Sequence, residues 1–314
     1  MLKQSKIEIE KFTNDNSESM GVLRKILTTH GIALAATGSA GCVRSLYMQA
    51  RRLNRLPYLF TKALALKDYS LGRNEKIMCS CIEAAVQHPY IRGVIAYASC
   101  LDLLSYWQEN RLLYAFNNPR NVPIAVLYRG PLAKRQESPM KQLNKIWAAW
   151  GITDDDTLDI TGQNTFNIAP NTLPNGFNEP QRPDYEIIID KLCSQNIPCN
   201  ILLLTPGGCK SCMNGQLQYF QQSPANIYYT RFNDVSLIKC TVNDFVDPIL
   251  EKFDSEKLLI ILSTAVMQTI NFDVSGLCQK LKDRGLNAVY LPTTGFDKAN
   301  LDILLQKAKD LGVL

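Results

Sequence analysis

The chain has 314 residues, of which 46% are hydrophobic and 20% are charged, the usage of an ordinary globular protein. This length is enough for two domains that each bury a core. No apolar run reaches the roughly 18 residues needed to cross a bilayer, and the polar start lacks the apolar stretch of a secretory signal. We therefore expect a cytoplasmic protein without a membrane segment. The net charge of +5 falls short of the basic balance of nucleic-acid-binding proteins.

In chain order, short apolar runs rich in β-formers alternate with longer helical patterns, which is typical of a parallel sheet with crossover helices. The first half predicts strands near 33–37, 92–98 and 123–128 and helices near 43–53, 74–88 and 139–150. The last helix begins with a hydroxyl N-cap, Ser138, before Pro139. Residues 151–182 are rich in Asn, Pro, Thr, Asp and Gly and predict a linker or wrapping loop. The amphipathic run 297–312 predicts a closing helix.

Four landmarks recur in the same order, about 166 residues apart. ALAATGSAGC, ending at Cys42, aligns with NILLLTPGGC, ending at Cys209; Asp-Tyr-Ser-Leu at 68–71 aligns with Asp-Val-Ser-Leu at 234–237; and GVIAYASC and VPIAVLYRGP have counterparts in LIILSTAV and NAVYLPTTGF. The sequence therefore predicts an internal duplication. We expect an α/β fold of two tandem Rossmann-like domains with mostly parallel sheets, at 1–150 and 183–314, joined by 151–182.

A small-residue loop that ends in Gly-Cys follows the first strand of each predicted domain. Ligands of an open parallel sheet bind beyond the carboxyl ends of its strands. Glycines, here Gly41, Gly207 and Gly208, let the backbone approach a bulky ligand. The cysteine opens the next helix, where unpaired N–H groups and the helix dipole stabilise a thiolate, the form that binds iron or zinc. Cys42 and Cys209 are thus candidate metal ligands.

The other eight cysteines divide by position. Cys100 follows the central strand of the first domain, and Cys212 lies three residues after Cys209, so both are also candidate ligands. Cys240 is a further candidate. The remaining five are assigned to packing, because free cysteine is among the most buried residue types: Cys79, Cys81, Cys193, Cys199 and Cys278. The two histidines, His30 and His88, are read as surface or capping residues, which argues against a His-rich metal site.

The stretches GSAGCVRSLYMQA, DYSLGRNEK and YASCLDLL resemble the nitrogenase component 1 family, and so do STAVMQTINFDV and LPTTGFD of the second half. That family includes nitrogenase α and β subunits, cofactor-assembly scaffolds and dark protochlorophyllide reductase subunits. The resemblance implies an iron-sulfur cluster held between the two halves by Cys42, Cys209 and Cys100. It also implies electron transfer with an ATP-dependent iron-sulfur reductase as partner.

The chain departs from this family at two points. Val266 stands where a second strand-end cysteine is expected, and Cys212 is proposed as a substitute, which gives four thiolates for a [4Fe-4S] cluster. Each half is also expected to comprise only the first Rossmann-like domain of that family, so we do not expect this chain to carry the site for dinitrogen reduction. Two alternatives stay open: a carrier or assembly scaffold for a cluster or metallocofactor without turnover, and a cluster-free protein that binds a small molecule. Substrate, enzymatic turnover and oligomeric state are left open as well.

Overall fold

The computed structural model describes residues 7–13, 21–105, 107, 111–112, 117–128, 137–158, 179–207, 222–232, 241–296 and 301–314. The chain divides into two compact units. The N-terminal unit comprises Ser17–Pro180, and the C-terminal unit comprises Gln181–Leu314 together with Met1–Asn16. Each unit is built around one sheet. None of the described helices is long and apolar enough to span a membrane.

The N-terminal unit has a four-stranded parallel sheet in the order β3-β2-β4-β5. Its strands are β2 (Ile32–Gly38), β3 (Leu59–Ala63), β4 (Gly93–Ala98) and β5 (Ile124–Tyr128), and its helices are α1 (Gly21–Thr28), α2 (Ala40–Arg52), α3 (Leu66–Ser70), α4 (Asn74–Val86), α5 (Cys100–Leu104) and α6 (Pro139–Trp150). Sequence analysis did not predict β3, whose five residues LFTKA carry no period-2 pattern.

The side chains of β2 alternate between two apolar layers, as the two-residue period of a strand requires. Ile32, Leu34 and Ala36 pack with helices α1, α2 and α6. Ala33 and Ala35 pack with α4 on the opposite face. The sheet is therefore buried on both faces, which explains why every residue of β2 is buried and why the strand reads as a continuous apolar run.

The C-terminal unit has a five-stranded sheet in the order β1-β7-β6-β8-β9. Its strands are β1 (Glu8–Lys11), β6 (Asn200–Leu204), β7 (Asn226–Arg231), β8 (Leu259–Ser263) and β9 (Ala288–Leu291), and its helices are α7 (Asp184–Ser194), α8 (Val242–Lys252), α9 (Ala265–Thr269), α10 (Val274–Asp283) and α11 (Leu301–Asp310). Helices α7 and α11 cover one face of the sheet. Helix α10 packs against β9 and against α8.

The predicted fold class is confirmed, since both units are α/β with mainly parallel sheets. The four parallel strands follow one another in the same order in both units, which is what a duplication would produce. The duplication itself stays a prediction.

The unit boundaries differ from the expected domains at both ends of the first half. Strand β1 pairs antiparallel with β7, from Glu8 opposite Arg231 to Lys11 opposite Tyr228, so the N-terminal strand belongs to the C-terminal unit. Part of the expected linker also packs on the N-terminal unit: Thr157 bridges to Thr29, and Asp156 pairs with Arg92. Residues 159–178 of that segment lie outside the described part of the chain.

The turn after β9 depends on a glycine at position 295. Gly295 has φ of +72°, and a Cβ there would lie 2.5 Å from the backbone nitrogen of Ala265. Gly285 has φ of +88°, but a Cβ there would meet nothing within 4 Å. Both positions therefore need a left-handed backbone, while only Gly295 also needs the space.

We predict that Gly295→Ala destabilises the protein more than Gly285→Ala does. Both substitutions carry the left-handed strain of about 1–2 kcal/mol, and Gly295→Ala adds an overpacking cost of about 1–3 kcal/mol. Urea denaturation of the two variants measures the difference. Equal losses of stability would contradict the close approach of Gly295 to Ala265.

Candidate functional site

Three adjacent strands of the N-terminal unit end at the same edge of its sheet. The parallel register places Ala63 of β3 beside Gly38 of β2, and Ala96 of β4 beside Ala35 of β2. Cys42 is the third residue of α2, four positions after β2, and Cys100 is the first residue of α5, two positions after β4. The structure therefore brings two predicted ligands to the carboxyl edge of neighbouring strands.

Cys100 is positioned by a capping box. Ser99, the N-cap of α5, donates from its backbone nitrogen (2.7 Å) and its hydroxyl (2.6 Å) to the Asp102 carboxylate. The amide of Asn74 lies 3.4 Å from the same carboxylate and donates to the Ser105 hydroxyl at 2.7 Å. Asp102 is only 2% exposed. A buried charge with these donors fixes the turn from β4 into α5, and with it the backbone of Cys100.

Tyr69 of α3 lies within electrostatic range of both thiols. Its side chain is buried, and its pKa is raised well above the usual value, chiefly by burial and then by the nearby charges of Asp102, Cys42 and, to a smaller extent, Cys100. The Ser99 side chain acts in the opposite direction. The charged and polar groups that act on Tyr69 therefore come from the segments after β2 and β4.

The glycine-cysteine loops are described to different extents. In the N-terminal unit Gly41 is buried and Cys42 is half-buried. In the C-terminal unit Gly207 has φ of +91°. A Cβ at this position would lie 3.2 Å from Cγ of the Arg231 side chain. The other predicted residues of that loop, Gly208, Cys209 and Cys212, lie outside the described residues, as does Cys240.

Burial raises the pKa of each of the five cysteines assigned to packing. The pKa of Cys79 is about 11, and those of Cys81 and Cys199 are about 12. Burial also raises the pKa of Cys193 and Cys278. These thiols stay protonated at neutral pH, and a protonated thiol is a poor metal ligand.

The two described ligand candidates lie at the same edge of the sheet, and their thiolate form is the one that binds iron. Cys42 lies in the first turn of a 13-residue helix, where backbone N–H groups lack helical partners and favour an anion. Within the described ranges, no group of three or more His, Cys, Asp or Glu side chains is arranged to hold a metal ion. A four-thiolate cluster therefore requires ligands from beyond these ranges, where Cys209 and Cys212 fall.

Sequence analysis missed three residues of this site. Tyr69 was noticed only as part of a repeated landmark, and Ser99 and Asp102 were not noticed at all. The sequence does indicate a role for Ser99 and Asp102, because Ser-x-x-Asp before an apolar run is the pattern of a capping box. Tyr69 had no such signal, since its contacts join three segments that are distant in the sequence.

No protein-family model and no curated protein matches the sequence. Among solved structures, the chain is similar to "Nitrogenase Cp1 at pH 6.5", with a TM-score of 0.31 and 9% sequence identity over 94% of this chain and 79% of that one. A similarity of this size carries no argument about fold or function.

We predict that Asp102→Ala costs more stability than Asp244→Ala. Asp244 forms the same capping box at an exposed position, accepting from the Thr241 backbone nitrogen at 2.6 Å and hydroxyl at 3.0 Å. Loss of the exposed cap costs about 1 kcal/mol, whereas leaving the buried Ser99 and Asn74 donors unpaired costs about 2–3 kcal/mol. Urea denaturation of both variants tests the order. A smaller loss for Asp102→Ala would contradict its buried role.

We predict that iodoacetamide modifies Cys42 of metal-free protein well before it modifies Cys81 or Cys199. At pH 8 a thiol with a pKa of about 12 is ionised in about one molecule in ten thousand, and only the thiolate reacts. Cys42 is also the most exposed of the seven cysteines in the described residues. Peptide mass spectrometry over time measures the rates. Unfolding in guanidinium should remove the difference; equal native rates would refute it.

Proposed function

We propose that the chain is a nitrogenase-like iron-sulfur protein that transfers electrons in a reductive pathway. The observation that supports this best is the placement of Cys42 and Cys100. Both cysteines lie in the first turns of helices at the ends of neighbouring parallel strands. In our proposal these two thiolates, with Cys209 and Cys212 of the other glycine-cysteine loop, hold one [4Fe-4S] cluster, and Gly41, Gly207 and Gly208 let the backbone approach it.

Each described residue has a defined task in this proposal. The first turn of α2 stabilises the Cys42 thiolate through its unpaired N–H groups. The Ser99 and Asp102 capping box fixes the backbone of Cys100. The apolar side chains on both faces of the sheet keep the strand ends in place. A bound cluster would supply reversible one-electron transfer, with a potential set by burial and by hydrogen bonds to sulfur.

The partner in this proposal is an ATP-dependent iron-sulfur reductase of the nitrogenase type. We infer this partner because the GSAGC, DYSLGRNEK and YASC segments resemble the nitrogenase component 1 family. Reduction of a substrate by the chain itself is not part of the proposal.

A carrier or assembly scaffold for a cluster is a second candidate, favoured by the exposure of one ligand. Cys42 is half-buried, while Cys100 is 6% exposed. An accessible thiolate allows a cluster to be exchanged with another protein. A carrier would lose its cluster to an apo-acceptor within minutes to hours, whereas an electron-transfer protein would keep it through repeated reduction and oxidation.

We predict that protein purified without oxygen contains iron and acid-labile sulfide and gives an EPR signal on reduction. Cys42→Ala and Cys100→Ala should each lower the iron content to near background, because each removes one of four thiolate ligands. Cys193→Ala is the matched control, since Cys193 is a buried thiol with a raised pKa in the packed core. Its iron content should equal that of the wild type.

Two results would contradict this function. Iron-free, colourless protein after anaerobic reconstitution would exclude both the electron-transfer and the carrier candidates and leave a cluster-free binding protein. Equal iron loss in all three variants would exclude the ligand assignment.

A further inference from the structure

Arg55 carries a buried positive charge that the proposed function does not use. The residue lies three positions after the end of α2, and it is only 9% exposed. Its Nε donates to the carbonyl oxygen of Leu27, in the last turn of α1, at 2.8 Å. Nη2 of the same guanidinium is buried and has no hydrogen-bond partner. None of the ion pairs between described residues includes Arg55.

Aromatic side chains pack beside this guanidinium. Its Cζ lies 3.5 Å from the centre of the Tyr58 ring. The Tyr58 ring meets Tyr90 edge-on, with 5.3 Å between the ring centres, and Tyr90 lies 5.3 Å from the imidazole of His88. These aromatic residues come just before β3 or β4 in the chain. The group therefore lies at the amino edge of the sheet, opposite the edge of the candidate cysteines.

The charge of Arg55 lacks a counter-charge in the described part of the protein. A buried cation costs free energy unless an anion pairs with it. Burial lowers the pKa of Arg55, while Tyr58 and Tyr90 act in the opposite direction. The side chain still stays charged at neutral pH, because the ordinary pKa of arginine exceeds 12. Its contact with the face of an aromatic ring offsets only part of the cost.

We propose that Arg55 binds an oxyanion, the phosphate or carboxylate group of a small molecule, at the amino edge of the N-terminal unit. The planar fork of guanidinium N–H groups matches two oxygens of such a group. The contact with Leu27 occupies Nε alone and leaves Nη2 for the ligand.

Tyr90 forms the outer wall of this site. Its side chain is 37% exposed, and its hydroxyl donates to the carbonyl oxygen of Pro57 at 3.3 Å. A long hydrogen bond at the surface costs little to break, so this ring is the part that turns aside for a ligand. The site shares no residue with the proposed cluster site, and the two proposals can therefore fail separately.

The test follows the thermal unfolding of metal-free protein by circular dichroism at increasing phosphate concentration, with chloride keeping the ionic strength constant. Phosphate also stabilises folded proteins in general, so the readout is the difference between wild type and Arg55→Met, which keeps a long side chain without the charge. Arg52→Met is the matched control, since Arg52 is exposed in the last turn of α2. Acetate in place of phosphate tests a carboxylate ligand.

We expect phosphate at ten times its Kd to lower the unfolding equilibrium constant of wild type and Arg52→Met about tenfold beyond any effect on Arg55→Met. The same result with acetate would assign the site to a carboxylate group. No specific shift with either anion, or equal shifts in wild type and Arg55→Met, would overturn the inference. Loss of the shift in Arg52→Met would overturn it too, because binding would then follow the surface charge of α2.

Arg55→Lys keeps the proposal testable if Arg55→Met does not fold. Lysine retains the charge and loses the planar fork, so this variant should need a several-fold higher phosphate concentration for the same shift. An unchanged concentration dependence in Arg55→Lys would count against an oxyanion held by the fork.

Discussion

The parallel pairing of β2 with β3 and β4 is the constraint on which the candidate site depends. The two registers align the carboxyl ends of all three strands, so the segments that follow them meet at one edge. Because helices cover both faces of this sheet, we expect a ligand at this edge, beyond the carboxyl ends of the strands. A one-residue slip of β4 against β2 would exchange the faces of its side chains and carry the turn of Cys100 away from that of Cys42.

In each unit a buried aspartate carboxylate accepts hydrogen bonds that fix the turn after a strand, but the two turns contain different residues. In the N-terminal unit the Asp102 carboxylate caps a turn that contains a thiol. In the C-terminal unit Asp184 accepts from the backbone nitrogens of Thr294 (2.6 Å) and Gly295 (2.8 Å), and thereby fixes the turn after β9. Both carboxylates are buried, and protein donors pair with each of them. The C-terminal carboxylate serves a turn without cysteine.

Sequence patterns predicted the elements that bury a regular face, and they missed those whose place depends on distant partners. The apolar run at 33–37 was readable because burial on both faces makes it continuous, and the start of the helix at 139–150 was readable from Ser138 and Pro139. Strand β1, with the sequence EIEK, is polar and short, and only its pairing with β7 makes it a strand. The strand-end cysteines were predicted from the edge rule for parallel sheets. Tyr69 was not, because nothing local to α3 indicates which neighbours its hydroxyl meets.

Burial alone does not separate a proposed ligand cysteine from a proposed packing cysteine in this protein. Cys100, Cys79 and Cys278 are each 6% exposed. They differ in what surrounds the sulfur: Cys79 and Cys278 lie within helices whose apolar faces pack into a unit, while Cys100 begins a helix at a strand end, beside a hydroxyl and a capped carboxylate. In our proposal, position in the fold distinguishes Cys100 from these two cysteines where exposure does not.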